Sequence, residues 1–428
     1  MSYTAGPFPA TAEQLYNAAR PAVRQSRTAY LVVFLAGLLC CIQSDTVGIT
    51  LIGQIYIGEV FLAVYAFWSV LGNLTNRAYW ERPFVWALVT LGISFSAYIF
   101  SDLLNQTPLT NLLRGWARMA FLASDLIALN ALTRRHPLRI LAFITGMAVG
   151  FLVTVEKLSF DPSWYKIGIA TPALLITLSL FSIIRYRYRY ALVVAVWTAL
   201  GVLNFFLDFR SLGATCLLCG AVTLAKMVAG AGLRSLYAIV LAFSLAIAVA
   251  AGIYSYITTQ DVYGERRSQS NSWRVAAAEG AIYGISQSPW IGNGSWARTS
   301  DTDAVIHATF AEVNGKRLTN DPGVAGHSQI LQVWYEAGVL ALVFFTFVFI
   351  FGVKTLWDSV FHIRMNELFG VTLYFTFNAI ISYFISPFGG LARFFMALSL
   401  CLFMIQGRLL RQQRASLQRS FIGLAGDP

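Results

Sequence analysis

Two kinds of residue in this chain have both the chemistry and the placement for catalysis. The first is a histidine. Of the four in the sequence, His136 and His362 fall in arginine-bearing hairpins, whereas His307 and His327 fall in one long polar stretch. His327 closes that stretch and stands directly before an apolar run, so it is held at the start of a rigid helix. With an ordinary pKa of about 6.5, a histidine can accept a proton at neutral pH and act as a general base. The alternative role is structural, capping the helix or bonding a loop carbonyl. The second kind is arginine: Arg210, Arg114, Arg118 and Arg393 begin apolar runs, and Arg266, Arg267 and Arg274 stand in the polar stretch. Their planar guanidinium forks match phosphate oxygens two at a time, which points to an anionic partner. Interfacial snorkelling, or pairing of Arg210 with Asp208, is the competing account.

The elements that must position these groups are apolar helices. The chain has 428 residues, of which 57% are hydrophobic and 12% charged; a soluble domain carries about 25% charged residues. Runs near the ~20 residues needed to cross ~30 Å of hydrocarbon recur along the chain, giving about twelve spans in an all-α polytopic membrane protein. They lie at 28–42, 51–74, 84–100, 112–132, 138–155, 167–184, 190–207, 212–229, 233–257, 330–353, 368–385 and 391–408. The organisation expected is a cytoplasmic segment 1–27, helices over 28–257, an exported loop 258–329, helices over 330–408 and a cytoplasmic tail 409–428. The 31 Lys and Arg set its orientation: 19 collect on the side of the termini, and six of the rest lie in the long loop, which is exempt from the positive-inside rule. The net charge of +11 is therefore explained by anchoring to anionic lipid head groups. No soluble basic domain is present to bind nucleic acid.

Within the exported loop, 273–286 reads as a short helix with Ser272 as N-cap, ending before Pro289. Asp301-Thr-Asp303 is the closest approach to a divalent-metal motif and has no acidic partner, so neither metal nor cofactor is expected. Cys216 and Cys219 form a C-x-x-C inside an apolar run, where helix packing accounts for them. Glu59 and Asp125 are acidic residues expected inside spans. Arg118 and Asp125 are seven apart and share a helix face, which suggests a structural pair or a neutral carboxyl.

Three stretches together resemble the O-antigen ligase and polymerase superfamily of bacterial envelope glycosyltransferases. His327-Ser-Gln-Ile-Leu-Gln-Val-Trp-Tyr-Glu-Ala-Gly is similar to the family's histidine, leucine, glutamate-x-glycine signature. Trp273-Arg-Val-Ala, continuing to Pro289-Trp-Ile-Gly-Asn-Gly, resembles its arginine, amphipathic helix and P-x-x-G-x-G. Phe209-Arg-Ser-Leu-Gly-Ala-Thr resembles the segment where an arginine opens a span. The likeness covers 192–428; before that only the topology agrees.

The resemblance implies an enzyme at the periplasmic face of the bacterial inner membrane, with both termini cytoplasmic. It would transfer a polysaccharide from undecaprenyl pyrophosphate to a sugar hydroxyl of the lipid A core, with inversion and without metal. His327 would be the base, and Arg210 and Arg274 the main pyrophosphate ligands, with Arg266, Arg267, Arg114 and Arg118 as further candidates. A short hairpin near 156–166 favours ligase over polymerase. A lipid-glycan transporter or flippase shares the helix count; it should show an internal repeat and paired interrupted helices.

Overall fold

The computed structural model describes residues 27–42, 55–154, 169–183, 189–207, 209–229, 252, 264–316, 327–362 and 365–425. These residues form thirteen helices. In chain order they are α1 (Arg27–Leu39), α2 (Ile57–Leu71), α3 (Arg82–Leu104), α4 (Leu109–Thr133), α5 (Arg139–Thr154), α6 (Thr171–Ile183) and α7 (Arg189–Phe206). Then follow α8 (Arg210–Ala229), α9 (Gly264–Gln287), α10 (Ser300–Asn314), α11 (Gln329–Phe361), α12 (Phe369–Ile385) and α13 (Gly390–Ala425).

Every expected span except the ninth, 233–257, coincides with a described helix; the ninth lies outside the described residues. The count of twelve does not carry over directly. Among the described residues only α3, α11 and α13 (over Gly390–Ser416) are both long and apolar enough to cross a membrane. The shortfall has two causes. Helices such as α1 and α2, with 13 and 15 residues, reach ~20 Å at 1.5 Å per residue, less than the hydrocarbon thickness. By contrast α4 has 25 residues but carries Arg114, Arg118 and Asp125.

The distribution of polarity is inverted relative to a water-soluble protein. Phe61, Phe67 and Trp68 on α2, Trp86 and Phe100 on α3, and Ile350 and Trp357 on α11 face outward, while Glu59, Arg118, Asp125, Glu336 and Arg393 are buried. That arrangement fits a helical protein whose surrounding solvent is hydrocarbon. Where hydrocarbon lies outside, helices associate through close packing rather than hydrophobic exclusion. Accordingly α1 and α5 meet through glycines: a Cβ on Gly37 would stand 2.1 Å from the Phe143 carbonyl oxygen, and one on Gly146 2.0 Å from that of Phe34.

Two features place the candidate residues. The first is the α9–α10 hairpin, which packs against α11. Ala276, Ile306 and Phe310 form its core, and Ala281, Ile285 and Tyr335 seal it to α11. Helix α9 begins nine residues before its expected start, and Ser272 is not its cap. The Ser272 hydroxyl instead donates to the Ser268 carbonyl at 2.8 Å, the back-bond that lets serine sit inside a helix. Asp301 and Asp303 lie in the first turn of α10, whose N-cap is Thr299, and Asp303 pairs with Arg298 at 3.3 Å. Their negative charge complements the helix N-terminus.

The second feature is a break in α11. Ala337 and Gly338 leave helical geometry, with Gly338 at φ 73°. Hydropathy gave no sign of it, because the run stays apolar on both sides.

Candidate functional site at the start of α11

His327 immediately precedes Ser328, and it is Ser328 that caps α11. The Ser328 hydroxyl accepts from the Leu331 N–H at 3.4 Å and donates to the Tyr383 carbonyl at 3.1 Å. The imidazole is half-buried against α9, where Trp273 Nε1–H donates to His327 Nε2 at 2.6 Å. The two rings meet edge to face at 6.3 Å. Because Nε2 accepts this bond, the proton of the neutral ring is on Nδ1. The lone pair with which His327 would take a proton is thus covered by an indole, and a substrate hydroxyl must displace that indole to reach it.

Arg210 opens α8, and its Nη2 donates to Asn271 Oδ1 on α9 at 3.2 Å. Asn271 stands two residues before Trp273. At roughly 100° per residue, exposed Arg274 falls on the arc of α9 between Asn271 and Trp273. A single turn of α9 therefore touches Arg210, carries Arg274 and holds His327. Arg266 and Arg267 lie in the first turn of α9. Arg114 is exposed on the first turns of α4. Asp208, the expected partner of Arg210, lies outside the described residues.

Arg118 is placed differently from Arg114, Arg210 and Arg274. It is buried, 2% exposed, and forms an ion pair with Glu336 of α11 rather than with Asp125. Its guanidinium also donates to Tyr98 Oη and to the Phe388 carbonyl, each at 3.1 Å, and stacks over the Tyr98, Trp296 and Phe388 rings. Glu336 further accepts from Tyr98 Oη at 2.7 Å and from Gln332 Nε2 at 3.2 Å. A guanidinium committed in this way has no fork to offer a phosphate at the surface.

The sequence motifs around Glu336 turn out to be one joint. Residues 289–294, the P-x-x-G-x-G stretch, lie in the break of α11 and satisfy its backbone. The Asn293 N–H donates to the Tyr335 carbonyl at 2.8 Å, the Gly294 N–H to the Glu336 carbonyl at 2.9 Å, and the Val339 N–H to the Pro289 carbonyl at 3.1 Å. A Cβ on Gly292 would be 2.6 Å from the Ala337 nitrogen, and one on Gly338 would be 2.1 Å from the Trp290 carbonyl oxygen. Both glycines have positive φ, 82° and 73°, so only glycine meets the contact and the conformation together. From the far side, Asp102 of α3 accepts from the Ser295 N–H at 2.6 Å, Ser295 Oγ at 2.8 Å and Trp116 Nε1 at 2.9 Å. Buried Asp102, Tyr98 and Gln332 escaped the sequence reading. The paired glycine motifs were the available signal for the joint.

The other singled-out groups lie elsewhere. Cys216 and Cys219 are buried free thiols on α8. Glu59 forms an ion pair with Arg393 inside the bundle at 2.7 Å, so the Arg393 guanidinium, in the first turn of α13, is buried rather than presented at the surface. No family model and no curated protein matches the chain.

Proposed function

We propose that this chain is a membrane glycosyltransferase of the O-antigen ligase kind. It has twelve spans, both termini in the cytoplasm and its site at the periplasmic face of a bacterial inner membrane. The reading rests on the resemblance described above, and the observation that carries it is the gathering of Arg210, Arg274 and His327 around the same turn of α9.

The chemistry divides between the two sides of that turn. On the donor side, undecaprenyl pyrophosphate departs as an anion and needs cations rather than a proton. Arg210 and Arg274 bind its oxygens and stabilise the charge that develops, an effect worth ~3 to 4 kcal/mol for a key donor in comparable sites. On the acceptor side, His327 removes the proton of a sugar hydroxyl of the lipid A core as that oxygen attacks the anomeric carbon. The C–O bond to pyrophosphate breaks as the new one forms, so configuration inverts. Trp273 must release Nε2 for this step, which ties proton removal to arrival of the acceptor.

A lipid-glycan transporter is the second reading, favoured by the interrupted helix α11 and the buried ionisable groups. It is weaker because the break is filled by residues 289–294 rather than facing a cavity.

Reconstitution of the purified protein with an undecaprenyl-pyrophosphate glycan and a lipid A-core acceptor tests the proposal. Wild type is expected to form the joined product, and His327→Ala to lose transfer by about 10² to 10⁴. Wild-type turnover by that variant would remove the base assignment. Translocation of the donor without transfer would favour the transporter.

A further inference from the structure

A second polar cluster, which the transfer chemistry does not use, lies where α2, α4 and α13 pack together. Arg393 of α13 places Nη2 2.7 Å from Glu59 Oε1 and 2.9 Å from Oε2, and its guanidinium lies over the Phe121 ring at 5.8 Å. Glu59 also accepts the Tyr56 N–H at 3.0 Å, closing the start of α2. One turn along α4 from Phe121 is Asp125, 0% exposed, with neither carboxyl oxygen hydrogen-bonded among the described residues. Glu59 and Arg393 are the charged groups that act on it, and the Cys40 thiol at the end of α1 lies against Gly58, next to Glu59. Among the described residues, the other elements packed on α4 add no charge there. On α3, Tyr98 and Asp102 belong to the Arg118 joint; α5 carries only Arg139, at its outer end.

Among the described residues the cluster holds one cation and two carboxyl groups. If both carboxyls were ionised, a net negative charge would be buried there with no hydrogen bond to Asp125, and an uncompensated buried charge is strongly destabilising. A metal cation is a poor remedy, because Arg393 repels it and the described residues gather no third carboxylate, imidazole or thiol to help hold it. A proton needs neither.

We propose that the Asp125–Glu59–Arg393 cluster is a proton-binding site: one proton is shared by two carboxyls around a single guanidinium and rests on Asp125 while Glu59 holds Arg393. The pair titrates as a unit, and moving the proton to Glu59 would turn Arg393 toward Asp125. This stands independently of the transferase reading.

Infrared difference spectroscopy on the full-length protein in lipid at neutral pH tests it. Subtracting Asp125→Asn from wild type should reveal the carbonyl stretch of a protonated carboxylic acid, lost in the variant, with the carboxylate bands unchanged. Glu59→Gln should also lose that band, because Arg393 then takes ionised Asp125 as its partner. Should either variant fail to fold, wild type alone decides: dicyclohexylcarbodiimide, which attacks protonated carboxyls in apolar surroundings, should label Asp125 and spare Glu59. Loss of a carboxylate band in Asp125→Asn would overturn the proposal. So would an acid band that survives Glu59→Gln or disappears when choline is replaced by sodium, or a label found on Glu59 or on neither residue.

Discussion

Arg118 and Arg210 are the same side chain put to opposite uses. Arg118 is enclosed by α3, α4 and α11, ion-paired to Glu336 and stacked on three aromatic rings. Both of its terminal nitrogens are engaged, and its task is to hold the break of α11 against residues 289–294. Arg210 lies at the start of α8 with an exposed bond to Asn271, on the turn of α9 that also carries Trp273, the indole covering the accepting nitrogen of His327. Such commitment serves structure. A site for substrate needs donors that can exchange one partner for another, and among the described residues the turn of α9 at Asn271 and Trp273 carries bonds of that kind.

Substitutions in the joint should therefore lower the amount of folded protein, whereas those around α9 should lower the rate per folded molecule. The largest effect is expected from Glu336→Gln, which leaves Arg118 buried without its counter-charge, a loss of ~3 to 5 kcal/mol. Thermal unfolding in detergent would measure it, and activity per folded molecule should be nearly unchanged. A variant as stable as wild type would show that the joint is not held by its ion pair.

Gly338→Ala comes next. A left-handed residue becomes strained, at ~1 to 3 kcal/mol, and the new Cβ displaces the Trp290 backbone. The same melting experiment checks it, together with increased proteolysis between Pro289 and Gly294. An unaltered cleavage pattern would mean that the loop does not depend on the break.

Arg210→Lys should have the smallest effect on stability, within ~1 kcal/mol, because the Asn271 bond is exposed. Transfer should nonetheless fall by roughly tenfold or more, since Lys keeps the charge but loses the fork; outright removal of a key donor costs about 10² to 10³. Full activity in this variant would erase the functional difference between the two arginines.

The legible parts were those written in local order. Apolar runs marked eleven helices, although α11 and α13 run on well past the expected ends at 353 and 408, and the polar interval 258–329 marked the hairpin that leans on α11. The place of His327 at a helix start and of Arg210 at the head of α8 followed from neighbours a few positions away. Misreadings arose where a residue had two local options. Ser272 looked like a cap, but a serine inside a helix can satisfy itself on the preceding turn. Arg118 looked like one more surface arginine, although its spacing to Asp125 already hinted at a partner inside the bundle.

What the amino-acid sequence determined by itself was the set of helices, the polarity of their ends and the few residues able to do chemistry, because backbone satisfaction in hydrocarbon leaves a helix little alternative. Tertiary structure alone decided the pairings: Arg118 with Glu336 at 218 residues' separation, Arg393 with Glu59 at 334, Trp273 with His327 at 54. Those depend on the rotation and depth of each helix against its neighbours. In a protein that is apolar both inside and out, the hydropathy pattern carries little record of either.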